Sequence, residues 1–379
     1  MALHACAIIA HMEWGEVATR IIEARMQKGL TQTQLAQSLG LERSVLAKIE
    51  SGQRKVNALE LAGIARELGR RLEWFVLPRL AGIPQHRGAT TPEWVSSEID
   101  VVLEQSLADV ALLVELGHLQ VPARPEIFER PDSSANAEAL AGRARQLCGI
   151  GPEAPADALT TAAWAIGLVP FAESLGGGAD AASTSSDTWG IAVINSANAV
   201  GRRRLALAHE LCHYLVNDGY VEDFRVDPPT SEDQHEARMD RFARAFLLPA
   251  AAVREHWSRL SVDGVRRAAV MLASTFRVDM STLARRLHND LGLVDRATAS
   301  ELRQVRTNRS DIVENDLFVP HDLEGTWLHP EYERAVLRAY RADDVTSARA
   351  LSLLRQNFSE DDLPTRATVD EGSLWALTE

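Results

Sequence analysis

Apolar positions recur at helical spacing along most of this chain and tighten to short β-rich runs in one region only. In residues 16–78, Ile21, Ile22 and Met26 share a helix face, Gly29 ends that helix, and Thr31 is a natural N-cap for the next, TQTQLAQSL. Gly40 closes this second helix. A short LGL turn then leads to ERSVLAKIESG, where Val45, Leu46 and Ile49 face a core while Arg43, Ser44, Ala47 and Lys48 point away. Asn57 caps ALELAGIAREL, and Leu72 to Leu77 closes the bundle. Two short helices joined by a glycine-containing turn, with the small Ala36 between them, are what a helix-turn-helix needs to seat its second helix in the major groove of DNA.

Further along, PRLAGIPQHRGATTP reads as a linker, followed by a helix from Pro92 to about Gly117 and a proline-rich loop, VPARPEIFERPDSS. ANAEALAGRARQLCGI and ADALTTAAWAIGL are helical. The period then changes: Leu168 to Glu173 and Trp189 to Asn195 are short strands, and LGGGADAASTSSD between them is expected to be a loop, too polar and glycine-rich for a third strand. Two helices follow, RRRLALAHELCHYLVND and SEDQHEARMDRFARAFLLP. From Ala297 no template is evident: DIVENDLFVP reads as a loop, two helices meet near Asp343 to Thr346, and an acidic tail contains SEDDLP. The expected fold is mainly α with a small β-sheet (α+β). Its expected parts are an extension (1–15), an all-α helix-turn-helix bundle (16–80), a linker and connecting helix (81–134), a mixed domain (135–296) and a helical appendage (297–379).

At 379 residues the chain has material for two or three domains, and its 46% hydrophobic and 25% charged content is ordinary for a soluble globular protein. No apolar run approaches the roughly 20 residues of a membrane span, and the opening MALHACAIIAH lacks a basic leader, so the expected location is cytoplasmic with no membrane association. Cys6, Cys148 and Cys212 are too few and too scattered for a disulfide framework or a cysteine-rich metal cluster. Any metal must then be held by histidine and carboxylate. The net charge of -13 excludes a chain that is basic throughout. The charge is uneven, however: residues 16–80 carry eleven Lys and Arg against seven Asp and Glu, about +4, leaving about -17 elsewhere. One basic segment sits inside an acidic protein, as double-stranded DNA binding through residues 16–80 requires. The alternative use of such a bundle is docking or homodimer formation.

The chemistry concentrates in AHELCHYL. His209 and His213 are four apart, so on a helix their imidazoles lie on one face and converge on one point, while Glu210 sits about 100° round from His209. That is the spacing of a site in which two histidines bind Zn2+ and the glutamate serves as general base. A catalytic zinc needs a third protein ligand, and the next acidic cluster holds Glu232, Asp233, His235 and Glu236. Glu236 shares a stripe with Asp240 and Ala243; His235, a quarter turn away, is the competing candidate. Cys212 lies off the histidine face and is expected to be a small buried residue. Tyr214 and Tyr220 are nearby and more in keeping with packing than with catalysis.

Two resemblances follow from these motifs. LTQTQLA, LGLERSVLAKIESGQR and the next helix resemble the Xre/phage-repressor family, which implies DNA contacts by Gln32, Arg43, Ser44 and Lys48; Glu42 departs from the Ser or Thr usual at that cap. WGIAVIN, RRRLALAHELCHYL and ExxxDRFARAFLLP resemble the ImmA/IrrE zinc peptidases, a zincin-like fold, over about 135–295. That resemblance implies Zn2+ on His209, His213 and Glu236, with Glu210 as base. Met239, Asp240 and Cys212 stand where the family favours Ala, Asn and Gly. The implied function is a DNA-binding transcriptional regulator and zinc-dependent endopeptidase. It would cleave an Xre-type repressor or an antitoxin in a stress, prophage or mobile-element response. The strand Gly190 to Asn195 is expected to pair with an extended substrate. The alternatives are a transcription factor whose peptidase-like domain senses a metal or ligand without hydrolysis, and an antitoxin-like binding module.

Overall fold

The computed structural model describes residues 14–76, 98–176, 179–218 and 229–366, with backbone alone at 229–233. The expected extension and most of the expected linker lie outside these residues, as does Tyr220. The chain divides into two compact units, Met1–Val101 and Val102–Glu379. Among the described residues, no helix is long and apolar enough to cross a membrane.

The first unit is a bundle of α1 (Trp14–Gln27), α2 (Gln32–Ser38), α3 (Arg43–Glu50), α4 (Ala58–Leu68) and α5 (Leu72–Val76). Thr31 and Asn57 cap α2 and α4 as the sequence predicts, each in a reciprocal capping box with Gln34 and Glu60. Gly40 takes a φ of +67° in the turn between α2 and α3, a conformation that costs glycine little. Ile21, Leu35, Leu46, Ile49, Ile64 and Phe75 form the core. A buried ion pair braces it: Glu50, at the end of α3, accepts from Arg25 Nε at 2.6 Å.

Helix α6 (Glu98–Glu115) lies mostly in the second unit, and residues 92–97 of the helix expected from Pro92 fall outside the described residues. Then come α7 (Ser134–Leu147), α8 (Leu159–Ala165), β1 (Leu168–Glu173), β2 (Ala181–Ser185) and β3 (Gly190–Asn195). The stretch expected to be a loop thus contains a strand. β2 is half-buried along its whole length, so its polar Ser-Thr-Ser run is not forced into a core, and Ala181 to Ser185 pair antiparallel with Ile194 to Gly190. β1 pairs parallel with β3, giving the order β1-β3-β2. β3 is therefore central and buried throughout. Both its edges are taken, which corrects the expectation that it receives a substrate strand. Among the described residues, the strand with an open side is β2.

Helix α9 (Val200–Leu215) packs under the sheet, and α10 (Pro229–Leu247) packs against both α7 and α9. Helices α11 (Ala250–Leu260), α12 (Val265–Phe276) and α13 (Met280–Arg285) complete the main core with Phe246, Trp257, Leu272 and Leu283. Tyr214 on α9 lies against two glycines. A Cβ on Gly190 would stand 2.7 Å from its ring, and one on Gly167 would stand 2.8 Å from its hydroxyl. Only glycine lets the sheet approach the helix this closely.

The region after Ala297 contains more helix than the sequence suggested: α14 (Arg296–Gln304) and α15 (Arg309–Glu314) start at Asp295 and Asn308, whose side chains accept from Thr298 N and Asp311 N. Helices α16 (Pro330–Arg341) and α17 (Ser347–Leu353) meet where expected. This appendage is built into the second unit. Trp327 exchanges two backbone hydrogen bonds with Ala172, 2.8 and 2.9 Å, which covers the outer edge of β1. Tyr332 packs edge-on to Phe171 at 5.1 Å, and the buried Asp109 of α6 pairs with Arg349 and Arg355, both at 3.2 Å. Arg203 Nε donates to the carbonyl of Asp322 at 2.9 Å, and the buried Arg204 pairs with the Asp322 carboxylate.

Candidate functional site

Helix α9 carries His209 and His213 one turn apart, with ring centroids 4.8 Å apart and Nε2 atoms at 2.9 Å. Helix α10 brings Glu236 to them because Phe242, Phe246 and Leu247 on its inner face are buried beside α9. Glu236 Oε2 lies 3.2 Å from His209 Nε2 and 3.7 Å from His213 Nε2. The three donor atoms all lie within 4.8 Å of one another. Donors held at the usual zinc distances in a tetrahedron stand about 3.3 Å apart, close to the spacings found.

The outward nitrogens strengthen the fit. His209 Nδ1 donates to Asp240 Oδ1 and His213 Nδ1 to Asp218 Oδ2, each at 3.1 Å. With the ring protons assigned by these partners, both Nε2 atoms present lone pairs to each other and to a carboxylate oxygen. Three acceptors facing one point call for a cation between them. Burial pushes the His213 imidazole down, more than the hydrogen bond from its ring to Asp218 pushes it up, which suits a neutral ligand. For Asp240, burial acts to raise the pKa, and the hydrogen bond from His209 with the charges of His209, Arg244 and Arg285 outweighs it, leaving an ionised acceptor.

His235, the competing candidate, turns elsewhere: its Nε2 meets Asp218 Oδ2 at 3.2 Å. Glu210 is buried on α9, and its carboxylate accepts from the hydroxyl of Ser183 on β2. Cys212 is fully buried against Met239, Sγ to Sδ 3.1 Å, and burial first, then the charges of Asp218 and Glu210, holds its thiol far above the ordinary range. It is an inert packing residue, as its position off the histidine face implied. Tyr214 donates its hydroxyl to the carbonyl of Ile166 at 3.0 Å, so that donor is already used.

Sequence reasoning overlooked Asp218, Ser183 and Arg130, and saw Asp240 as a residue on the Glu236 stripe and a departure from the family's Asn, not as a partner of His209. Asp218 stands five positions after His213, a spacing that could have marked it. Nothing local pointed to Ser183 or Arg130, which reach the site by tertiary packing.

In the first unit, Arg43, Ser44 and Lys48 are exposed on α3. Ser44 donates to Glu42 Oε2 at 3.2 Å, and Glu42 makes no side-chain cap to the helix it precedes. Gln32 is turned inward, its amide donating to Glu50 Oε2 at 2.8 Å. It braces the same carboxylate that Arg25 holds.

Residues 21–75 match the family model described as helix-turn-helix, and residues 166–288 match that of the IrrE N-terminal-like domain, Peptidase_M78. The two matches, an Xre-type helix-turn-helix and a Peptidase_M78 domain, stand in that order along the chain. It is a regulator with a peptidase-like domain. No curated protein matches the chain.

Proposed function

We propose that this chain is a cytoplasmic DNA-binding regulator whose second unit is a zinc-dependent endopeptidase. The observation that carries the reading is the convergence of His209, His213 and Glu236, with a carboxylate on the outer nitrogen of each imidazole and Glu210 beside them. Two imidazoles and one carboxylate are a zinc donor set that leaves a position open. Bound there, zinc would act as Lewis acid on the scissile carbonyl and acidify water for the attack. Glu210 takes the proton released in the attack and returns it to the leaving amine. Ser183 holds the Glu210 carboxylate, and Asp240 and Asp218 fix the histidine tautomers.

The substrate is an extended segment laid along β2. Asn195 N donates to Asp180 O and Ser186 N to Trp189 O, 2.9 and 2.8 Å. Alternate residues of an antiparallel strand bond to opposite sides, so Ala181, Ser183 and Ser185 turn their backbone groups away from β3. Ser183 then offers its backbone to the substrate and its hydroxyl to the base. Arg43, Ser44 and Lys48 contact double-stranded DNA, with Gln32 bracing their helix from below. A repressor of the Xre type, or an antitoxin, is the protein cleaved.

The test compares wild type with Glu210→Gln at equal zinc, each incubated with a purified Xre-type repressor from the same cells. Cleavage by wild type alone is the expected result. An intact repressor in both samples refutes hydrolysis of that target and favours a domain that senses metal or ligand.

A further inference from the structure

The Asp218 side chain is fully buried and meets three partners from three segments of chain. His213 approaches it from α9 at 3.1 Å. His235 approaches from α10 at 3.2 Å, and it directly precedes Glu236. Arg130 pairs with it from the extended stretch before α7. That stretch is tied to the end of α9 a second time, by Phe128 N donating to the carbonyl of Leu215 at 3.0 Å. A fully buried carboxylate is costly unless a cation and hydrogen bonds satisfy it, and Arg130 provides that charge. Both histidines address one atom, Oδ2.

We infer that Asp218 is the positioning residue of the metal site, registering α10 against α9 through His235 while it orients His213. The inference rests on the reading of His209, His213 and Glu236 as metal ligands. Its physical basis is the shared acceptor. The hydrogen bond to His213 sets that ring's direction and tautomer; the bond to His235 holds the first described turns of α10, and so sets where Glu236 arrives. Asp240, on α10 itself, also ties that helix to α9 through His209, but its side chain is nearly half exposed, whereas the Asp218 side chain is fully buried. Asp218 differs from the ligands in touching no donor position, and His235 differs in binding no metal at all. Beside the direct Asp240–His209 bond, the buried Asp218 therefore couples the two helices that divide the ligand set between them.

The experiment measures zinc affinity of the full chain by chelator competition, and the visible spectrum of the cobalt-loaded protein, for wild type, Asp218→Asn, His235→Ala and Asp240→Asn. Loss of a carboxylate behind a ligating histidine typically costs 10–100-fold in metal affinity. Asp218→Asn is expected to lose affinity in that range and to alter the cobalt bands. His235→Ala, which removes no ligand, is expected to lose about tenfold with a change of the same kind, since Glu236 is then free to wander. Circular dichroism melting of the metal-free proteins reports folding separately. Wild-type affinity and spectrum in both Asp218→Asn and His235→Ala, even with lowered melting temperatures, would overturn the inference and leave Asp218 a structural ion pair. Loss confined to Asp218→Asn would overturn the helix-registering part. A wild type that takes up neither metal would instead refute the metal-site reading beneath it.

Discussion

Acid should loosen the appendage through one histidine. His329 is buried, stacks on Trp164 at 4.4 Å between ring centroids, and caps α16 by accepting from Glu331 N through Nδ1 at 3.2 Å. Burial, with the Arg334 charge adding and the Glu331 charge opposing, brings its pKa down from 6.5 to about 4. Above pH 6.5 the imidazole is neutral in folded and unfolded chains alike, and its contribution is fully present. Between 6.5 and 4 the unfolded chain takes up a proton that the folded chain refuses, so stability falls with falling pH; below 4 the loss is complete. Each pKa unit corresponds to about 1.4 kcal/mol, so the full loss is about 3 kcal/mol at most. His329→Asn keeps a capping acceptor and removes the titration. Urea unfolding of both proteins at pH 7 and pH 4.5, followed by hydrogen exchange of the segment around Trp327 to Arg341, isolates the effect, because the other acid-sensitive groups are common to both. Wild type should lose roughly 2–3 kcal/mol more than the variant in that segment on acidification. Equal losses in the two proteins would refute the argument.

Two further outcomes test the packing and the DNA surface. Gly190→Ala should destabilise the second unit by about 1–3 kcal/mol, because the new methyl meets the Tyr214 ring at 2.7 Å; a change in urea midpoint too small to measure would show that the ring yields freely. Arg43→Ala should weaken binding to the protein's own promoter by about 1–3 kcal/mol if it reads a base, or lower the salt slope by about one if it holds a phosphate; binding with unchanged strength and salt dependence would remove α3 from the interface.

The helix-turn-helix was readable because caps and periodicity are local: Thr31, Gly40 and Asn57 act within a few residues of themselves, and all three stand where the sequence put them. The same holds for His209 and His213, whose shared face follows from four residues of helix. Glu236 was reachable by its stripe and by resemblance. Strand β2 was missed because edge strands need no apolar face. Its small polar residues look like a loop until β3 supplies the hydrogen bonds.

Local pattern therefore determined the helices, their caps, the pair of histidines and the glutamate between them. Strand order, the acceptor behind His209, and the further partners of Asp218 and Glu210 depended on segments far apart in the chain meeting at one place. Glu210 meets Ser183, His209 meets Asp240, and Asp218 gathers His213, His235 and Arg130. A hydrogen bond or ion pair across such distances leaves no periodic trace in the sequence, since it constrains single positions and not a repeating face. Tertiary packing placed Asp240 behind His209 and brought His235 and Arg130 to the Asp218 that follows His213 by five residues, and so gave the histidine spacing its chemical direction.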